Sequence, residues 1–183
     1  MAEIDDLLRR VLVKAEATTE RLSPTATAEE VEDAERILGF GLPPVLARLY
    51  GQVANGGFGP DYQLLPLTGD GRTAVSDYRE ERATRRSGEA SWPAEVLPIL
   101  DWGCGMYAAV DCHSPEGTVL LFEPNGISAD WHTAWYVDAE SLTNWLETWL
   151  SGTGWYEEDA AERDEVQEPR PWEIARQRLS EPE

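Results

Sequence analysis

The sequence predicts an α+β fold: N-terminal helices, a mostly antiparallel sheet and a closing C-terminal helix. Three observations carry this prediction. Apolar residues recur at helical spacing in segments from Ile4 to Tyr50. From Trp92 onward, short apolar runs are separated by turns bearing Gly and Pro. Leu142, Trp145, Leu146, Trp149 and Leu150 then return to helical spacing. Helices and strands are thus segregated along the chain, which favours α+β over an alternating parallel α/β fold. A mixed sheet stays open at this stage.

The elements follow from local sequence. Ile4, Leu7, Leu8, Val11 and Leu12 give residues 3–21 an apolar helical stripe, which Ser23-Pro24 ends. Thr27 and Glu30 fit a capping box for a second helix, with Val31, Ala34, Ile37 and Leu38 inward. Gly39 is placed to stop that helix. Pro43 and Pro44 suit the first turn of a short third helix. Asn55–Pro60 reads as a glycine-rich turn, and Leu64–Leu67 as a short edge strand, since Pro66 cannot donate to a central ladder. Residues 72–87 read as a solvated helix. Val96–Leu100, Met106–Val110, Thr118–Phe122 and Trp135–Val137 read as strands. Asp101–Gly105 reads as a turn, and Ser114–Gly117 as a hairpin loop. The final helix begins at Leu142 and ends near Gly152. The expected division is a helix and linker over 1–27, a core domain over 28–151, and an acidic tail over 152–183. That tail is partly disordered or carries one short helix near Trp172.

Composition narrows the function classes. With 183 residues and 42% hydrophobic, one core is sufficient without disulfides or metal. The N-terminus lacks the basic and apolar regions of a signal peptide. No apolar run reaches the roughly 20 residues of a membrane span. Two cysteines make no secreted disulfide framework, so a cytoplasmic location is expected. Net charge is −20, from 35 acids against 15 bases. No Lys or Arg occurs between Arg86 and Arg163, and residues 101–156 carry eight acids. Nucleic acid and anionic membranes are repelled by such a chain, whereas a basic protein is attracted. The plain alternative is that the charge serves solubility.

Several short motifs define a resemblance. Ala34-Glu35, Leu38-Gly39, Leu42-Pro43, Leu49-Tyr50, Asn55-Gly56-Gly57 and Leu65-Pro66-Leu67 follow one another in the order seen at the start of the SUKH superfamily. Pro98–Gly105 and the terminal helix with Trp145 and Trp149 fit its later pattern. The chain resembles this group over roughly residues 28–151. The superfamily is typified by a yeast regulator of cell-wall synthesis and by many bacterial immunity proteins. The resemblance implies an α+β domain, no catalytic residues, and a protein partner, commonly a polymorphic toxin such as a nuclease. Combined with the charge, it implies a basic toxin domain as partner; a monomer or weak dimer is expected, with the oligomeric state left open.

The predicted docking face follows. Asp101, Asp111, Glu116, Glu123 and Asp130 lie on the rim of the predicted sheet, mixed with Trp102, Tyr107, Trp131 and Trp135. Aromatics supply contact area and acids supply steering. Trp145 and Trp149 read as core, Trp131 and Trp155 as partly exposed. No metal or cofactor is expected. Cys104 and Cys112 are not at C-x2-C spacing and have no second pair, so Cys104 reads as a small buried thiol. The glycine loop at 55–60 follows a helix and holds no Lys, unlike a phosphate cradle. Two alternatives stay open. One is a regulatory scaffold that binds through its tail. The other is a small enzyme using a Cys/His/Asp cluster such as Cys104 with His132.

Overall fold

The computed structural model describes residues 2–86, 89–127, 130–157, 160, 166 and 168–180. Parts of the expected tail therefore lie outside the described residues. Helix α1, Ala2–Thr18, turns Leu7, Leu8, Val11 and Ala15 into the core. Helix α2, Ala28–Leu38, begins with the expected capping box: Glu30 N donates to Thr27 Oγ1 at 3.2 Å, and Thr27 N to Glu30 Oε2 at 2.7 Å. Gly39, at φ 83°, ends it. Helix α3, Pro44–Gln52, buries Val45, Leu46, Leu49 and Tyr50.

The expected strand at Leu64–Leu67 does not form. Asn55 takes over its backbone instead, accepting from Leu67 N at 2.8 Å and donating to Thr68 O at 2.8 Å. A side chain thus replaces a ladder. Leu65 N still donates to Ile99 O, as one isolated bond at 2.8 Å. Gly56 lies beneath this segment at φ 76°, and a Cβ there would stand 2.6 Å from Pro66 N. Gly56→Ala combines a left-handed backbone with a backbone clash. We expect a loss of at least about 2 kcal/mol in urea denaturation. A loss under about 0.5 kcal/mol, the scale of ordinary surface changes, contradicts this reading of the loop.

Helix α4, Ala74–Ala83, is shorter than the expected 72–87. The chain then forms a small hairpin, β1 (Arg85–Arg86) with β2 (Glu89–Ala90). The main sheet comprises β3 (Val96–Gly103), β4 (Met106–Asp111), β5 (Thr118–Phe122), β6 (Trp135–Ala139) and β7 (Arg170–Pro171). They lie in sequence order, and every neighbouring pair is antiparallel. Pro98 is tolerated because β3 is an edge strand. Asp101–Gly103, expected in a turn, belongs to β3, and the turn is Cys104-Gly105. A 3-10 turn, Trp131–Ala134, precedes β6. Helix α5, Leu142–Ser151, is capped by Ser141 and stopped by Gly152 at φ 67°. Helix α6, Ala175–Ser180, follows β7. The fold is α+β as expected.

Helices α1, α3 and α5 pack on one another, and α4 packs on β3. Tyr107, Phe122 and Trp135 stand in one row across β4, β5 and β6. Trp92 meets all three edge-on, with ring centroids at 5.4, 5.2 and 4.8 Å. Three register shifts interrupt the sheet, one at Ile99 in β3 and two that bear on the aromatic residues. In β3, Asp101 faces Tyr107 and Gly103 faces Met106, leaving Trp102 as the extra residue. In β6, Val119 faces Ala139 and Leu120 faces Val137, leaving Asp138 as the extra residue. Bulges re-aim side chains, and both of these serve one aromatic cluster.

Candidate functional site

The sheet divides the nine residues of the expected docking face. Asp101, Tyr107, Glu123, Asp130 and Trp131 gather near the end marked by Cys104-Gly105, where Gly105 approaches Pro124 and Glu123 N bonds Ala134 O. Trp102 and Trp135 lie at that end as well. Asp111 and Glu116 lie at the other end, about 17 Å of strand away. Burial divides them again. Trp135 is fully buried, and Trp102, Tyr107 and Trp131 nearly so. Trp131 therefore does not have the partial exposure expected of it, whereas Trp155 is half-buried. Tyr107 and Trp135 pack in the core beside Phe122, their aromatic neighbour across the sheet.

The acids are also partitioned. Asp111 is buried and paired with Arg178 Nη1 at 2.9 Å. Asp101 is half-buried and paired with Arg72 Nη1 at 2.5 Å. Arg72 also binds the buried Asp77 and donates to Tyr107 Oη at 3.0 Å. Sequence distance hid these pairs, since both arginines come from outside the stretch that lacks bases. Glu116 and Asp130 are exposed, and Glu123 is half-exposed.

A groove of about 520 Å³ opens beside the Cys104-Gly105 turn. Its walls come from α1, the loop at 59–63, β3, β4 and the segment after α5. Trp102 and Tyr156 stack with centroids 5.0 Å apart, and Trp155 tilts against Trp102 at 5.3 Å. Tyr62 closes edge-on at 5.8 Å and remains 62% exposed. Lys14 Nζ sits 4.9 Å from the Trp149 ring centroid and also donates to Trp149 O, near the end of α5. The volume falls within the usual range of ligand pockets. The aromatic residues were visible in the sequence, but their meeting was not.

Asp138 supports Trp155, which lines the groove. Its Oδ2 accepts from Trp145 Nε1 at 2.9 Å, and its Oδ1 from Trp155 Nε1 at 3.0 Å. Burial raises its carboxyl to about 6, against the two indole bonds, which lower it. The ordinary value is 3.8. Between those values the folded state keeps a proton that the unfolded chain has released. The contribution is therefore fully present below the ordinary value and lost as pH rises through about 6. The resulting cost at neutral pH is on the order of 3 kcal/mol. Asp138→Asn removes this titration. Its stability relative to the parent should rise by roughly 2–3 kcal/mol between about pH 4 and pH 7.5 in urea denaturation. A difference that does not vary with pH contradicts the assignment.

Thiol chemistry finds little support in this geometry. Burial pushes the Cys112 thiol well above its usual range, which disfavours the thiolate. Cys104 is exposed at the turn, not buried as expected, and its φ is 53°. Glycines on either side let the chain reverse there and leave this side chain outside. No group of three or more metal-ligating residues occurs among the described residues.

Fold and site together define an α+β domain built on an antiparallel meander, with an aromatic groove at one end of the sheet. The chain belongs to the SMI1 / KNR4 family (SUKH-1), whose model matches residues 25–148. A comparison with curated proteins finds no match. The matched segment includes the bulge residues Trp102 and Asp138. Lys14, Trp149, Trp155 and Tyr156 fall outside it, so the groove is completed by segments flanking the family match.

Proposed function

We propose that this chain is a noncatalytic, cytoplasmic immunity-like protein that binds and neutralises a basic toxin domain. The observation that carries the reading is uncompensated negative charge. Arg36, Arg48, Arg72, Arg170 and Arg178 are each held in an internal ion pair. With 35 acids against 15 bases, an excess of 20 carboxylates remains even if every base is paired. Family membership supports a protein partner, and the charge supports a basic one. No helix among the described residues is long and apolar enough to cross a membrane. Co-expression with a basic toxin domain encoded beside its gene should restore growth of a sensitive host. Persistent killing despite soluble expression of both proteins contradicts the proposal.

The scaffold alternative relies on a free acidic tail. Residues 170–180 are not free: β7 pairs with β6, and Arg178 reaches the buried Asp111. Deleting 157–183 therefore removes part of the domain, so loss of binding in that truncation does not identify a tail interaction.

A further inference from the structure

We infer that the aromatic groove takes an arginine or lysine side chain from the basic partner, as the anchor of the complex. This deepens the partner-binding reading above and rests on it. Tyr62, Trp102, Trp155 and Tyr156 line one cavity, in which Tyr62 is exposed and Trp155 and Tyr156 are half-buried. Ring faces attract cations, and guanidinium also stacks on them. Lys14 over Trp149 already shows this interaction within the groove. Its charge is held at the C-terminal end of α5, where the helix dipole favours a cation.

Asp61 and Glu157 line the same groove, and neither is ion-paired among the described residues. Two carboxylates against one lysine leave a negative charge for an incoming cation. A further demand comes from Trp102, whose Nε1 is buried without a hydrogen-bond partner among the described residues. An unmet buried donor costs about 1–3 kcal/mol. A backbone carbonyl of the entering segment would satisfy it. Because much of the groove lies outside the matched family segment, it is suited to set which partner this chain accepts.

The test follows tryptophan fluorescence of the full chain during titration with a short arginine-rich peptide. A citrulline version of the peptide serves as a neutral isostere. Tyr62→Ala removes an exposed wall of the groove, and its fold is checked by circular dichroism. Asp61→Asn/Glu157→Gln removes the rim charges as a second, milder variant. Glu29→Lys/Glu32→Lys on α2 controls for diffuse attraction. We expect saturable binding that weakens at least about tenfold for the citrulline peptide and for both groove variants, with less than about a twofold change in the control. Equal binding of the citrulline peptide overturns the inference, as does saturable binding of a neutral oligosaccharide in preference to the arginine peptide. Equal losses in the α2 control and the groove variants also overturn it. Toxin binding separates the two claims. If wild type and Tyr62→Ala bind the toxin domain equally, the anchor inference fails and the immunity-like reading stands. If wild type does not bind the toxin domain, the reading itself fails.

Discussion

Arg178→Ala is expected to destabilise the fold by about 3–5 kcal/mol, the usual cost of leaving one partner of a buried ion pair alone. Arg178 and Asp111 have side chains only 7% and 8% exposed. Arg178 Nη1 lies 2.9 Å from Asp111 Oδ2, and Nη2 donates to Ala94 O at 2.8 Å. Its guanidinium carbon lies 5.4 Å from the Trp172 ring centroid. One side chain on α6 thus joins β4, the segment before β3, and the turn after β7. Truncation leaves Asp111 charged and desolvated beneath a helix that has lost its attachment. Arg178→Met with Asp111→Leu removes both charges and should recover most of the loss. Denaturant unfolding of the two variants provides the check. A single variant within about 1 kcal/mol of the parent contradicts the buried-pair account.

Trp92→Ala is the other large effect, at about 3–5 kcal/mol. Trp92 is 1% exposed and touches the aromatic row formed by Tyr107, Phe122 and Trp135. Its Nε1 also donates to Val96 O at 2.7 Å, which fixes the entry into β3. Alanine removes the ring contacts and the bond and leaves a cavity. Trp92→Phe keeps most of the apolar area and gives up the bond, so its loss should be nearer 1–2 kcal/mol. Equal losses for the two variants would show that the hydrogen bond, not packing, governs this position.

Much of the framework was legible because its signals are local. The Thr27/Glu30 box, Gly39 and Gly152 mark helix ends through residues adjacent to them. The strands from Val96 to Val137 were visible as apolar runs between turns. Leu64–Leu67 misled because its apolar character resembles a strand, while Asn55, nine residues earlier, supplies its hydrogen bonds. The β7 pairing left no pattern, since two exposed residues with a proline carry no periodicity. The candidate site was harder still. Trp102 and Trp155 meet because a bulge falls at Trp102 in β3 and another at Asp138 in β6. Register between strands decides where such bulges fall, and no single strand encodes it. The acidic stretch was legible only in part. Its lack of Lys and Arg is real, but Arg72 and Arg178 arrive from elsewhere to pair with Asp101 and Asp111.

The proposed recognition of a basic partner by this acidic domain makes association dependent on salt. Stopped-flow association with the purified toxin domain, repeated across a salt series, tests it most directly. The account predicts a rate that falls by at least about tenfold from low to high ionic strength, and falls further in Glu123→Lys/Asp130→Lys. Absence of a complex, or a rate indifferent to both salt and charge reversal, would contradict it.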